Sequence, residues 1–242
     1  ADPQSMSADE ITTLFQDRSG LLWVGTAGGG ISRTALELAN FGRLIHEPLS
    51  DNSLSHNSVL DIAEDGAGRV WMATFEGLNR YDPRSETWQH YRHEPNAPGT
   101  LASDRLQSLA LDPQGKLWLG SVNGDVDIFD PATGQAERLV RPEQPELKFS
   151  LYRVWRIAPG NDGAMWIAAE DGLYLVDSLP RALKAQFTLD DFESPGGAVH
   201  GYGLAASQLA RLREKNIPLT ICVDKVAASG GIRRDGAALP LI

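Results

Sequence analysis

Several acidic and glycine-rich stretches in the first half of the chain could do chemistry. Carboxylates of the kind that bind calcium occur at Asp61, Glu64, Asp65, Glu76 and Asp82. Their spacing matches no calcium-binding loop, so we expect turn and surface residues and predict no metal site. The glycine-rich run AGGG at 27–30 could be a phosphate-binding loop, but no Lys-Ser or Lys-Thr pair follows it. A hairpin turn is the better interpretation of that run, and no cofactor is predicted.

The segment 193–231, ESPGGAVHGYGLAASQLARLREKNIPLTICVDKVAASGG, is built differently from the rest of the chain. Leu204, Leu209 and Leu212 recur at helical spacing and are followed by the basic residues of REKN. The run IPLTICVD is rich in apolar residues, as in a buried parallel strand. A glycine turn, a helix and a strand in this order form half of an α/β unit.

This segment resembles the signal-peptide-peptidase family of serine proteases, and within it the SohB-like branch. The resemblance implies a short crotonase-like α/β fragment and a Ser–Lys catalytic dyad. By the family motif, Ser229 in AASGG corresponds to the nucleophile, and Gly196 and Gly197 in SPGG correspond to the oxyanion-hole loop. Backbone N–H groups at a helix N-terminus can face a developing negative charge.

The sequence departs from that family at the general base. The family places its base lysine several dozen residues beyond the nucleophile, whereas this chain ends 13 residues after Ser229. Lys225 does not occupy the motif position of the base, and nothing in the spacing pairs His200 with Ser229. A serine without a base is a poor nucleophile, so we expect no peptidase turnover. A truncated membrane-associated serine peptidase is kept as the alternative function.

The first 180 residues contain a four-fold repeat. Its aligned tryptophans are Trp23, Trp71, Trp118 and Trp166, at spacings of 48, 47 and 48 residues. Each lies in a block such as DGAGRVWMATFEGLNRYDP or DPQGKLWLGSVNGDVDIFDP, in which an Asp and a Gly precede the Trp in the first three copies. Alternating apolar and polar residues on both sides of a glycine turn indicate a β-hairpin. About four short strands in each period are typical of a propeller blade.

The repeated tryptophans are predicted to be structural. One blade cannot bury both faces of its sheet, so each Trp is expected to pack between neighbouring blades. Burial of each ring contributes about 2–3 kcal/mol by apolar transfer. In the fourth copy Gly160 replaces the Asp, which predicts a degraded turn there.

The motif GLLWVGTAGGGISR, the block GLNRYDPRSETWQHYRHEPNAPGTLASDRL and the linker SDNSLSHNSV together resemble the two-component-regulator propeller repeat. That family supplies extracytoplasmic sensors of hybrid histidine kinases. The resemblance implies a periplasmic or extracytoplasmic, non-catalytic sensor. It also implies an extracellular ligand such as a glycan.

Composition excludes several other classes of protein. The net charge of −10 argues against nucleic-acid binding, and no run of eighteen apolar residues is present to span a membrane. No signal peptide opens the chain, and the single cysteine, Cys222, excludes an intrachain disulfide. The first residues look like the middle of an inter-blade linker, so we expect the chain to begin partway through a longer array.

The predicted fold is mainly β, with about four propeller blades, the first of them incomplete, forming a partial or open propeller over residues 1–185. The crotonase-like fragment follows at 193–231, and residues 232–242 fit neither pattern. Open blade edges predict self-association, because an unpaired sheet edge invites pairing with another chain. The sequence leaves open whether the two parts are a natural fusion or a chimera, and a fragment without independent function remains an alternative.

Overall fold

A computed structural model describes residues 5–35, 41–140, 149 and 152–187. These residues form sixteen strands and one 3-10 turn at Asn161–Gly163. In sheet 1 the strands are β1 (Ile11–Gln16), β2 (Leu21–Thr26), β3 (Ile31–Ala35) and β4 (Gly42–Leu44). In sheet 2 they are β5 (Val59–Glu64), β6 (Val70–Thr74), β7 (Gly77–Asp82) and β8 (Thr87–Tyr91).

Sheets 3 and 4 repeat the same plan. Sheet 3 consists of β9 (Leu106–Leu111), β10 (Leu117–Ser121), β11 (Val126–Asp130) and β12 (Gln135–Arg138). Sheet 4 consists of β13 (Val154–Pro159), β14 (Ala164–Ala169), β15 (Gly172–Asp177) and β16 (Leu183–Phe187). In every sheet the four strands are antiparallel and lie side by side in chain order. Each repeat of the sequence is therefore one four-stranded meander.

The Asp-x-x-Gly motif closes the hairpin between the first two strands of a sheet. In sheet 2 the backbone N–H of Gly68 donates to the carbonyl oxygen of Asp65 at 3.0 Å. Gly68 has a φ of 83°, a conformation that glycine adopts without a steric cost. The same turn occurs at Asp17 and Asp112, which explains the matching sequence in three copies.

Each sheet packs its tryptophan against the next sheet. Trp23 lies in a buried cluster with Val59 and Met72 of sheet 2. Trp71 packs with Leu109 and Phe129 of sheet 3, and its ring centroid lies 5.5 Å from that of Phe129. A third cluster joins Trp118 to six buried residues of sheet 4, which are Val154, Ile157, Met165, Ile167, Tyr174 and Val176. The core thus lies between successive sheets.

Small residues after each tryptophan allow the sheets to approach closely. A Cβ placed on Gly120 of β10 would lie 2.5 Å from Cγ1 of Val154 in sheet 4. At Gly25 of β2 it would lie 3.0 Å from the carbonyl oxygen of Val59 in sheet 2. A larger side chain at either position would push the neighbouring sheet away.

Sheet 4 ends the row. Its first hairpin has Gly160 in place of the turn aspartate, and a 3-10 turn with Asp162 at a φ of 57° replaces the tight turn. Trp166 is only half-buried. Trp166 packs against Phe187 of its own sheet, with the ring centroids 6.3 Å apart. Among the residues described, no hydrophobic cluster joins sheet 4 to sheet 1.

The four sheets belong to one unit of the chain, which ends at Phe187. Within residues 5–187, apart from the gaps given above, no helix has the length and apolar character needed to cross a membrane. The predicted fragment at 193–231 and the tail at 232–242 lie outside the described residues, so these domain bounds remain predictions.

Candidate functional site

Two loops that connect successive sheets share one internal design. They are residues 45–58, between sheets 1 and 2, and residues 92–105, between sheets 2 and 3. The ring Nδ1 of His46 lies 2.7 Å from the carbonyl oxygen of Leu54, and that of His93 lies 2.6 Å from the carbonyl oxygen of Leu101. Both leucines are buried beneath their loops. The repeat therefore extends to the loops that cover the sheets.

Each loop rests on a buried polar side chain of the third strand. Ser32, Asn79 and Asp127 occupy the same register position, opposite the residue that follows the tryptophan. Each accepts a hydrogen bond from a backbone N–H of the covering chain. The donors are Ser7 at 2.9 Å, Ser55 at 2.8 Å and Ala102 at 2.7 Å respectively.

The residue beneath the loop differs between sheets 2 and 3. In sheet 2 the side-chain amide of Asn79 also donates to the hydroxyl of Ser55 at 2.7 Å and to that of Thr74 at 3.3 Å. In sheet 3 the loop residue is Ala102, which has no hydroxyl. Oδ2 of Asp127 accepts the Ala102 N–H, whereas Oδ1 accepts no hydrogen bond from any described residue.

A pocket of about 430 Å³ opens above Asp127, and we call it the sheet-3 pocket. Its walls come from the loop at 92–105 and from β12, and its lining is His93, Glu94, Asn96, Ala97, Pro98, Gly99, Thr100, Leu101, Ala102, Asp127, Ala136 and Arg138. Pockets of several hundred cubic ångströms suit small molecules. Asp127, 3% exposed, is the carboxylate at its base.

The charged form of Asp127 is destabilised by the burial of its side chain. Burial raises the pKa of the Asp127 carboxyl to about 6. The nearby charge of Asp125 raises this pKa further. The hydrogen bond from the Ala102 N–H and the charges of Arg138 and His93 lower it. The guanidinium of Arg138 also lies 3.6 Å from Oδ1 of Asp125. A group that donates hydrogen bonds would stabilise the charged form of Asp127.

A second polar cluster lies on the first strands of the sheets. Thr13, Asp61, Ser108 and Arg156 occupy one register position in β1, β5, β9 and β13. Asp61 accepts hydrogen bonds from the Ser108 hydroxyl, the Leu109 N–H and the Arg156 guanidinium, each at 2.9 Å.

The oxygens of Asp61 are therefore already occupied. Burial raises the pKa of Asp61, while the Arg156 charge and the hydrogen bonds oppose that rise. The Thr13 hydroxyl of sheet 1 also donates to Oδ1 of Asp61 at 3.5 Å, so this cluster connects all four sheets. A ligand would find fewer unused acceptor positions on Asp61 than on Asp127.

The predicted tryptophans lie between sheets, and their polar atoms are used. Trp23, Trp71 and Trp118 have no exposed surface. The acceptor of each indole N–H is Oδ2 of the turn aspartate six residues earlier, a contact that is not among the sequence predictions. The distances are 2.7 Å to Asp17, 2.8 Å to Asp65 and 3.0 Å to Asp112. The repeated six-residue spacing was the available signal.

The acids weighed for calcium make separate contacts. Asp61 is in the first-strand cluster, and Asp65 accepts from Trp71. Glu64 pairs with Arg18 at 2.9 Å, Glu76 with Arg92 at 3.5 Å, and Asp82 accepts the backbone N–H of Arg84 at 2.9 Å. No group of three or more His, Cys, Asp or Glu side chains that could hold a metal occurs within the described ranges.

The structure does not describe the residues predicted for peptidase activity. Ser229, Gly196 and Gly197 lie outside the described residues, so their roles remain predictions. Asp127 is not among the residues predicted from the sequence, where the loops between sheets have the character of linkers. The signal was an Asp where the two preceding copies have Asn79 and Ser32.

Comparison with known proteins identifies the repeat. Residues 5–28 and 53–76 match the family model described as two component regulator propeller. The chain is 32% identical over 80 residues to Histidine kinase P4 of Formosa agariphila, covering 29% of this chain and 6% of that protein.

A separate set of matches is short and close. Over 39 residues the chain is 77% identical to Probable protease SohB of Buchnera aphidicola subsp. Schlechtendalia chinensis, covering 16% of this chain and 13% of that protein. The same length is 74% identical to Probable protease SohB of Haemophilus influenzae, covering 11% of it. The chain thus spans only a small part of the length of these relatives. The resemblances to the two-component-regulator propeller repeat and to the SohB-like proteases are both confirmed.

Solved structures share the fold of the four sheets. The extracellular domain described as part of hybrid two component system BT3049 from B. thetaiotaomicron has a TM-score of 0.65 and 21% identity, covering 76% of this chain and 24% of that one. The extracellular domain described as part of one component system BT4673 from B. thetaiotaomicron has a TM-score of 0.60 and 20% identity, covering 80% and 25%. The prediction of a mainly β fold with about four propeller blades is confirmed.

Proposed function

We propose that the four sheets are a non-catalytic, ligand-binding segment of an extracytoplasmic sensor that acts in two-component signalling. The repeat match and the extracellular domains of similar fold support this role. The observation that carries it is the sheet-3 pocket, because Asp127, a buried carboxylate with one hydrogen-bond donor, lines a cavity of ligand size. Capture of an extracellular solute there would be relayed to a signalling partner.

A thermal-shift screen of the intact chain tests ligand binding. The solutes would be neutral sugars, amino acids and small amines, measured on the native chain and on Asp127→Ala. At least one solute should raise the melting temperature of the native chain and fail to do so for the variant, because a ligand bound only by the folded state stabilises it. Equal responses of the two proteins to every solute would contradict the proposal.

We also propose self-association through the two end faces of the row of sheets. Trp166 is half-buried on sheet 4, Trp155 on β13 is 49% exposed, and Leu14 on β1 is 63% exposed. Apolar faces of this kind are covered between the inner sheets. Light scattering of the intact chain should show an oligomer, and a clean monomer would contradict this arrangement.

A serine peptidase remnant at 193–231 is the second candidate, favoured by the close match to the two SohB relatives. Its aligned length of 39 residues equals the length of that segment. A fluorophosphonate probe on the intact chain tests this candidate, and absence of labelling at Ser229 would count against it. Labelling that is lost in Ser229→Ala would favour the peptidase instead.

A further inference from the structure

We propose that the sheet-3 pocket binds a small organic cation whose primary ammonium group donates hydrogen bonds to Asp127. This inference rests on the proposed ligand-binding role and adds the chemical class of the ligand. It follows from the free acceptor at the base of the pocket, from the surrounding charge and from the walls.

Asp127 offers an acceptor and no donor. Oδ2 takes the Ala102 N–H at 2.7 Å, and Oδ1 has no hydrogen-bond partner within the described part of the chain. Only 3% of the residue is exposed, so water compensates little of the charge. Asp127 has one hydrogen-bond donor and little exposed surface, so a bound ammonium group that reaches Oδ1 would stabilise its charged form.

The charges around Asp127 favour a cation. Glu94 lines the pocket from the loop, and Asp125 lies in the turn before β11. Arg138 of β12 is a cation, but its guanidinium lies 3.6 Å from Asp125, which offsets its charge. His93 directs Nδ1 at the carbonyl oxygen of Leu101. Among the described residues that line the pocket, the two carboxylates of Glu94 and Asp127 outnumber the one guanidinium, that of Arg138.

The walls suit a short alkyl chain. Ala97, Pro98 and Ala136 line the pocket with apolar surface. No Trp, Tyr or Phe is among the described residues that line it, so it has none of the large aromatic faces on which a neutral ring would stack. A volume of about 430 Å³ accommodates a linear diamine.

Sheet 2 has a neutral side chain at the register position of Asp127. There Asn79 occupies the place of Asp127, carries no charge, and donates to the hydroxyl of Ser55 at 2.7 Å. Sheet 2 therefore provides a natural template for a variant that removes the acceptor without changing the size of the side chain.

Isothermal titration of the intact chain with 1,4-diaminobutane at pH 7.5 tests the inference, with 1,4-butanediol as the neutral ligand of similar length. We expect binding of the diamine, no binding of the diol, and at least tenfold weaker binding in Asp127→Asn. Because burial raises the pKa of Asp127 to about 6, diamine binding should weaken as the pH falls below that value. The exposed loop variant Asp51→Asn makes the same charge change outside the pocket and should bind as the native chain does.

Circular dichroism checks that Asp127→Asn is folded. Glu94→Gln is a second pocket variant, and its affinity for the diamine should fall about threefold, in line with the loss of an exposed charge. The inference is overturned if the diamine does not bind, if the diol binds equally, or if both pocket variants bind as the native chain does. If a neutral solute binds and its binding depends on Asp127, the inference of an ammonium ligand is overturned while the proposed sensor role stands.

Discussion

Asp65 in sheet 2 and Asp127 in sheet 3 are buried to a similar extent, with 5% and 3% of their surface exposed. Asp65 accepts hydrogen bonds from the backbone N–H groups of Ala67 and Arg69, from the Arg69 side chain and from the Trp71 indole, at 2.7–3.1 Å. Burial by itself raises the pKa of Asp65, but these hydrogen bonds outweigh it and lower the pKa overall. Asp127 has one such donor, and burial raises its pKa to about 6. The number of donors, and not burial alone, separates a structural carboxylate from one suited to bind a ligand.

The largest effect is expected from Asp65→Ala. The substitution leaves the Trp71 indole N–H and two backbone N–H groups without their acceptor, which should lower the free energy of unfolding by about 3 kcal/mol. Urea unfolding measures the loss. Asp82→Ala removes a half-buried turn carboxylate that accepts one backbone N–H, and should cost under about 1 kcal/mol. Similar losses in both variants would contradict the structural role given to Asp65.

Asp127→Asn should change the pH dependence of stability. The pKa of Asp127 is raised from 3.8 to about 6 on folding, so the fold prefers the neutral acid and loses stability as the pH rises through this window. The free energy of unfolding of the variant, relative to the native chain, should increase by about 2–3 kcal/mol between pH 3.5 and pH 7.5. Urea unfolding of both proteins at the two pH values gives this difference. A difference that does not vary with pH would show that Asp127 is not perturbed.

Ala102→Ser is expected to have the smallest effect, and it makes sheet 3 resemble sheet 2. A hydroxyl at 102 would lie where Ser55 contacts Asn79 and could donate to Asp127. We expect a gain of about 1 kcal/mol at pH 7.5 and a lower pKa for Asp127. Thermal and urea unfolding measure the gain. No gain at pH 7.5 would mean that Oδ1 of Asp127 already has a partner.

The repeat made the sheets predictable. Four tryptophans at a constant period, each after a glycine turn, are sufficient to predict the strands and the contact of Trp71 with the following sheet. The sequence also predicted the degraded turn at Gly160, because a glycine replaces the turn aspartate in that copy. These features depend on residues that are close in the chain.

The pocket was not predictable in the same way. Asp127 lies beneath Ala102, 25 residues earlier, and that contact appears only when β11 and the preceding loop are assembled. The connection from Ser121 to Val126 is also one residue longer than that from Thr74 to Leu78, which shifts the alignment of Asp127 with Asn79. Strand register resolves this shift, because both residues pair with the position after the tryptophan.

The titration of the Asp127 side chain tests the account most directly. Carbon-13 NMR of the carboxyl carbon, assigned with Asp127→Asn, follows its protonation in the intact chain. The account predicts a midpoint near pH 6, as expected for a buried carboxylate with one hydrogen-bond donor. A midpoint at or below the ordinary value of 3.8 would show a carboxylate that is already satisfied, and would contradict a ligand site at this position.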